Sequence, residues 1–205
     1  MFARPYHHGG LRAALLTRAE DTLRRSGVDG LSLRELARAE GVSHGAPQRH
    51  FRDKAALLDA LAVEGFQRLG SAITEATRPD GGDFSSRLTS AAVAYVRFAT
   101  DNAALADLMF TSKHGADASE ELRHAADESF TQMAALVQVG QATGELVEGD
   151  QERIGMVFFA TVQGITSLAN TQMVERADLT DLTSYAVASI LHGLAPREPA
   201  RTTSG

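Results

Sequence analysis

The stretch Leu31–Lys54, LSLRELARAEGVSHGAPQRHFRDK, constrains the fold of this chain more tightly than any other. Ser32 followed by Glu35 has the spacing of a capping box, which lets a hydroxyl and a carboxylate satisfy the free N–H groups of a starting helix. Leu33, Leu36 and Ala37 then recur at helical spacing and form one apolar face. Gly41 is a stop, because glycine accepts the left-handed backbone that ends a helix. Val42 is an apolar peg, and Ser43 is placed to cap a second short helix carrying His44, Gln48, Arg49 and His50. A short helix with a donor-rich outer face, propped on a partner helix, has the shape that fits a DNA major groove.

The same residues carry a resemblance. Gly41, Val42-Ser43, the small pair Gly45-Ala46, His50-Phe51 and Lys54 stand in register with the helix-turn-helix of the TetR family of bacterial transcriptional regulators. Gln48 stands where that family usually has a tyrosine contacting a phosphate, and a glutamine can still donate to phosphate or read an adenine edge. The likeness runs from Leu11 to Leu57.

Side-chain chemistry assigns the DNA-facing residues. Arg34, second on the supporting helix, is placed for a base edge or a phosphate. Gly45 and Ala46 keep the leading face thin, and Ala46 can touch a thymine methyl. His44, Gln48 and Arg49 are candidates for base contacts; His50 and Lys54 suit phosphates, with Ser32 and Ser43 at the helix starts. Pro47 in the first turn is expected to cost one helical bond. Two such helices on a two-fold axis would enter successive major grooves of a near-palindromic operator.

Charge is divided between two unlike parts. Residues 1–60 hold ten Lys/Arg against seven Asp/Glu, and residues 61–205 hold ten against nineteen, so a +3 front precedes a −9 body. That asymmetry confines the expected DNA contact to one end. The absence of cysteine excludes disulfides and Cys-ligated metal and fits the cytoplasm. The start, MFARPYHHGG, has no apolar run, so a signal peptide is not expected; Arg4 there is within reach of a minor groove. No Gly-x-Ser-x-Gly, phosphate loop or His-Glu-x-x-His occurs, so neither an enzyme nor a cofactor or metal site is expected.

In chain order, Leu11, Leu15, Ala19 and Leu23 mark a first helix ended by Gly27. Asp53 caps a helix running with Leu57, Leu58, Leu61, Gly65, Leu69 and Ile73 to Pro79, about 35 Å long and able to act as a lever. Leu88, Ala91-Ala92, Tyr95 and Ala99 mark the next, Leu105 and Leu108-Met109 a shorter one, and Thr111–Ala118 a loop. Leu122, Ala126, Phe130, Met133 and Val137 mark a long helix ending near Gly140–Gly144. Ile154–Val174 contains no charged residue, but its seven polar side chains argue for packing between helices rather than a membrane span. Leu179, Leu182, Ala186, Ile190 and Leu194 mark the last helix. These last two helices are rich in small residues and are expected to pair with their copies in a second subunit. With no period-two alternation, the chain is expected to be all-α, with about nine helices. The expected domains are a helix-turn-helix module at 1–56 and a ligand-binding and dimerisation domain at 57–205, with a disordered tail at 196–205.

From Ala94 onward, YVRFATDNAALADLMF, GQATGEL and FFATVQGITSL resemble a C-terminal regulatory domain of TetR-type proteins, sometimes named for a Trp-x-x-x-His-Gly motif. Phe159 stands at the tryptophan position, Gln163 at the histidine, and Gly164 is kept. This resemblance implies dimerisation through the last two helices and a ligand cavity in the body. Phe98, Met109, Phe110, Phe130, Met133 and Phe159 are the expected lining, with Gln163 as the orienting polar group. The expected protein is a ligand-responsive repressor, released from DNA by an apolar or weakly polar molecule. The alternative is a helix-turn-helix DNA-binding protein without an effector.

Overall fold

The computed structural model describes residues 8–78, 82–115 and 118–194. Among these lie eight α-helices and no strand: α1 (His8–Ser26), α2 (Leu33–Ala39), α3 (Lys54–Ala76), α4 (Phe84–Asp101), α5 (Ala103–Ser112), α6 (Glu120–Ala142), α7 (Gln151–Asn170) and α8 (Leu179–Gly193). Three 3-10 turns, Val28–Gly30, Pro47–Arg49 and Arg176–Asp178, join them. The all-helical expectation is met, one helix short of the expected nine. The arm at Arg4, the break at Pro79–Gly81 and the tail 196–205 fall outside the described residues. No helix among the described residues is long and apolar enough to cross a membrane.

Packing divides the chain into two compact units. One holds the residues up to Arg68 together with Asp101–Glu128; the other holds Leu69–Thr100 and the residues from Ser129 onward. Helices α3 and α6 each begin in the first and end in the second.

In the first unit, Leu11, Leu15, Ala19 and Leu23 of α1 are all buried, as their four-residue spacing requires. Gly27 ends α1 at φ +65°, and its N–H bonds the Leu23 carbonyl at 2.9 Å. Ser32 sits at the start of α2 in extended backbone, but its hydroxyl makes no capping bond, so the expected capping box does not close. Glu35 pairs with Arg38, one turn on, instead. Asp53 caps α3 as expected, accepting from the Ala56 N–H at 2.8 Å.

Three contacts hold α3 against α1, α5 and α6 within this unit. Arg68 donates to Glu20 Oε2 at 2.7 Å and to Asn102 Oδ1 at 3.0 Å. Phe66 stands edge-on to Phe110 at 5.8 Å. The Asp59 carboxylate accepts from the N–H and the hydroxyl of Ser119, at 3.0 and 2.7 Å, and that hydroxyl accepts from the Leu122 N–H. One serine thus caps α6 and ties its first turn to α3. The expected loop Thr111–Ala118 starts later, because α5 continues through Ser112.

In the second unit, Phe84, Leu88, Ala91, Ala92, Tyr95 and Ala99 bury one face of α4. The ring end of Phe84 reaches α6 at Gly140, where a Cβ would stand 2.4 Å from it. Ile154, Phe158, Val162 and Ile165 form the buried stripe of α7. This helix stops at Asn170, short of Val174, and the chain reverses through Gln172 at φ +60°. The inward stripe of α8 is Leu179, Thr183 and Val187, whereas the expected Leu182, Ala186 and Ile190 are half-buried. The difference rests on Thr183, which enters the core by donating its hydroxyl to the Leu179 carbonyl at 2.6 Å.

Candidate nucleic-acid interface

The turn after α2 is a closed hydrogen-bond circuit. Gly41, at φ +67°, donates to the Arg38 carbonyl, and Val42 donates to Ala37 at 3.0 Å. This pair of bonds, with a left-handed glycine between helix and exit, ends α2 and turns the chain. The next segment departs from its expected form. Residues 44–50 form a succession of turns with a 3-10 core at Pro47–Arg49, not an α-helix.

The cause is Pro47, which has no N–H to offer the Ser43 carbonyl. Ala46 takes that carbonyl at 2.9 Å, one residue early, and the tighter winding continues with Arg49 on Ala46 and His50 on Pro47. Ser43 therefore contributes its carbonyl to the segment rather than a hydroxyl cap. The proline costs more than the single bond expected of it.

Two inward anchors bracket the segment: Pro47 is buried and Phe51 is 2% exposed. Ser43, His44, Gly45, Gln48 and Arg49 face solvent, while Ala46 and His50 are half-buried. Arg34 is exposed on α2, and Ser32 and Lys54 are half-buried at the starts of α2 and α3. All ten expected DNA-facing residues therefore lie in the first unit, along α2, the turns and the start of α3.

Their electrostatic state separates them from their neighbours. Arg18 pairs with Glu40 at 3.0 Å, Arg38 with Glu35, and Arg52 with Asp53 at 3.2 Å. Arg34, Arg49 and Lys54 have no ion pair among the described residues. An uncompensated cation keeps its full charge for a phosphate or a guanine edge. Arg12 of α1 adds a residue that the sequence reading missed: its exposed guanidinium stacks on the Phe51 ring, 5.5 Å from the centroid. The signal was a basic residue beside the Leu11–Leu15 stripe, but only the fold brings it to Phe51. Behind the segment, His50, Arg52, Ala56, Asp59 and Ser119 line an open cleft of about 560 Å³.

The expected ligand-lining residues divide between the units. In the first, Met109 is fully buried, with its sulfur 2.6 Å from where a Gly65 Cβ would stand, and Phe110 packs on Phe66. In the second, Phe130 and Phe159 meet edge-on at 5.3 Å, and Phe159 meets Tyr95 at 6.0 Å. The Tyr95 hydroxyl donates to Gln163 Oε1 at 2.8 Å. Phe98 and Met133 are half-buried in the same unit. Tyr95 was expected only as a helix-face residue; burial pushes its hydroxyl pKa well above the usual phenol range.

Residues 15–61 match the family described as "Bacterial regulatory proteins, tetR family", and residues 88–198 match "Tetracyclin repressor-like, C-terminal domain". The tetracycline repressor protein class A from transposon 1721 of Escherichia coli is 54% identical over 52 residues, 25% of this chain and 22% of that protein. The Escherichia coli class D repressor is 42% identical over 53 residues, 26% and 24% of the two chains, so the likeness spans under a quarter of these relatives' lengths. A solved structure of a Rhodococcus sp. RHA1 protein of unknown function is 44% identical, covering 95% of this chain and 100% of that one, with a TM-score of 0.88. A bacterial regulatory protein in the tetR family from Rhodococcus RHA1 shares the fold at 22% identity and a TM-score of 0.72, over 92% of this chain and 98% of that one. With the regulatory-domain match alone spanning more than half its length, the chain belongs to the TetR family of bacterial regulatory proteins, whose members are DNA-binding transcriptional regulators.

Proposed function

We propose that this protein is a cytoplasmic, ligand-responsive repressor. It binds a palindromic DNA operator as a homodimer and is released by a small apolar or weakly polar molecule. Its work is binding, not turnover. The observation that carries this reading is the solvent-facing set Ser43, His44, Gly45, Gln48 and Arg49, with Arg34, Arg49 and Lys54 free of ion pairs among the described residues. His44, Gln48 and Arg49 read bases; His50 and Lys54 hold phosphates, joined by Ser32 and Ser43; Gly45 and Ala46 let the backbone approach.

Dimerisation through α7 and α8 is supported by the faces these helices leave uncovered. Met156 is 62% exposed and Tyr185 75%, with Val157, Ala160, Gly164 and Leu168 also exposed on α7. A second copy laid on this small-residue row would bury it and set two recognition segments on a two-fold axis. On this reading residues 1–56 are the DNA-binding domain and residues 57–205 the effector and dimerisation domain. Phe98, Met109, Phe110, Phe130, Met133, Phe159 and Gln163 are the candidate effector-domain lining.

The release step is a shift between two states. An effector that prefers one placement of α3 moves the balance tenfold for about 1.4 kcal/mol of preference. The test is selection of duplexes from a random pool by the full chain, followed by release with fractionated small molecules. A palindromic winner released by one fraction supports the reading. Sequence-blind, strongly salt-dependent binding defeats it. A palindrome that no fraction releases leaves a DNA-binding protein without an effector.

A further inference from the structure

Four arginines lie on α1, and three of them are engaged by neighbouring oxygens. Arg18 pairs with Glu40 at 3.0 Å, Arg24 with Asp21 at 2.9 Å, and Arg25 donates to the Asp21 carbonyl at 3.2 Å. Arg24 and Arg25 also sit in the last turn, where the helix dipole favours a cation. Arg12 differs on each count. It lies in the opposite half of the helix, is exposed, and gives no N–H to an acceptor among the described residues.

Its partner is Phe51, whose ring centre lies 5.5 Å from the guanidinium carbon. A ring attracts a cation through its π face and takes up no N–H donor as a carboxylate would, so the donors remain for a further acceptor. The ring is itself anchored. Phe51 is buried, and its N–H bonds the Pro47 carbonyl at 2.9 Å. His50 stands beside the same ring, 6.5 Å from centre to centre and tilted by 54°. Side chains from α1 and from the recognition segment thus flank one inward ring, just before Lys54 at the start of α3.

That placement selects the acceptor. A guanidinium outside the segment that enters a groove, but held against its exit, meets the strand bordering the groove, and that strand offers phosphate oxygens. The planar fork of donors suits a phosphate. A long side chain already held by a ring also has less rotamer freedom to lose on contact.

We infer that Arg12 is a phosphate-binding residue and that Phe51 is the positioning residue that holds it ready for the DNA backbone. The contact with DNA thereby extends beyond the helix-turn-helix to α1. The inference rests on the proposed reading of Ser43–Lys54 as the DNA-facing surface. It adds a contact from another helix and the ring that presets it.

The experiment measures binding of the full-length protein to a mixed-sequence duplex of about thirty base pairs, by fluorescence anisotropy at several salt concentrations. Arg12→Met keeps an apolar side chain over the ring and removes the charge and the donors. It leaves the melting temperature unchanged and flattens the salt slope by about 0.9 for each subunit that docks. The matching loss of affinity is about eightfold per subunit near 0.1 M salt and fades as salt rises. Arg12→Lys restores most of the slope, because it keeps the charge. Phe51→Leu keeps the core apolar and removes the π face, so it costs about two- to fivefold more affinity in the unaltered protein than in Arg12→Met. If Phe51→Leu loses its helical circular dichroism, Phe51→Met is read in its place.

An unchanged salt slope in Arg12→Met overturns the inference, and a lower melting temperature beside it would make Arg12 a cover for Phe51. Relaxed preference at a base pair, in duplexes selected by Arg12→Met, would make Arg12 a base reader and overturn the phosphate assignment. Equal costs of Phe51→Leu in the two backgrounds overturn the positioning role. Arg49→Ala and Lys54→Ala are the reference. If they weaken binding and Arg12→Met does not, this inference fails and the DNA-facing surface stands. If only Arg12→Met weakens binding, the surface reading fails instead, and an unaltered protein that binds no duplex at any salt sinks both.

Discussion

The recognition segment and the outer face of α7 both present a row of side chains to solvent, and they withhold opposite things. Residues 43–51 wind through short-range turns, send Pro47 and Phe51 inward, and leave polar and cationic groups outside. Helix α7 sends Ile154, Phe158 and Val162 inward and leaves Val157, Ala160, Gly164 and Leu168 outside. A row of unspent donors in water asks for a polyanion, whose counterion release supplies the driving force. A row of apolar and small residues asks for another protein surface, and small residues let two helices approach closely. On the proposed reading, one chain thus exposes two surfaces with non-exchangeable partners.

The comparison breaks first on α7. Val157→Glu sets a charge in the middle of the exposed row without disturbing the buried stripe. The expected product is a folded monomer by sedimentation whose operator affinity falls about a hundredfold or more, because two linked half-sites become one. A dimer that survives the glutamate would place the interface elsewhere.

Next in size is a pair of glycines. At Gly140 a Cβ would meet Phe84 at 2.4 Å and Leu146 at 2.8 Å, so Gly140→Leu overpacks the second unit and costs about 3 kcal/mol in thermal denaturation. At Gly45 nothing lies within 4 Å. Gly45→Ala should therefore leave the melting temperature unchanged while weakening operator binding, because it thickens the leading face. Equal losses of stability at the two positions would erase the distinction between a packed glycine and a reading one.

The third pair separates base reading from phosphate holding. Arg49→Ala should cost about 1–3 kcal/mol against the selected operator and relax preference at one base pair. Lys54→Ala should weaken all duplexes alike and flatten the salt slope by about one unit. Fluorescence anisotropy at several salt concentrations decides between them. If Arg49→Ala behaves like Lys54→Ala, Arg49 touches phosphate.

Much of this was legible in the chain itself because the signals were local and periodic. The Leu11–Leu23 stripe, the Asp53 cap and the stops at Gly27 and Gly41 depend on neighbours within five residues, and all stand as read. Three features were not legible, each for a physical reason. The 3-10 winding of 47–49 follows from a carbonyl choosing a different donor once Pro47 has none. The buried Thr183 looks polar in sequence, yet its hydroxyl is satisfied four residues back. The meetings of Tyr95 with Gln163 and of Arg12 with Phe51 join residues far apart in sequence, and no period encodes them.

The smallest effect tests whether the exits of the two contrasting elements obey one rule. Gly41 after α2 and Gln172 after α7 occupy the same left-handed position, at φ +67° and φ +60°, each followed by a residue that bonds five residues back. Only the second carries a side chain where a Cβ is disfavoured by about 1–2 kcal/mol, an amount partly offset by the freedom a glycine adds to the unfolded chain. Gln172→Gly should therefore raise stability by about 0.5–1 kcal/mol, and Gly41→Ala should lower it by about 1 kcal/mol or more, both by chemical denaturation. Because Gly41 turns the chain into the recognition segment, Gly41→Ala should also weaken operator binding, whereas Gln172→Gly should leave it alone. A loss of stability in Gln172→Gly would mean that the side chain at the α7–α8 reversal makes a compensating contact in the dimer. Repeating the measurement across protein concentration would expose that contact, since its contribution must fade as the dimer dissociates.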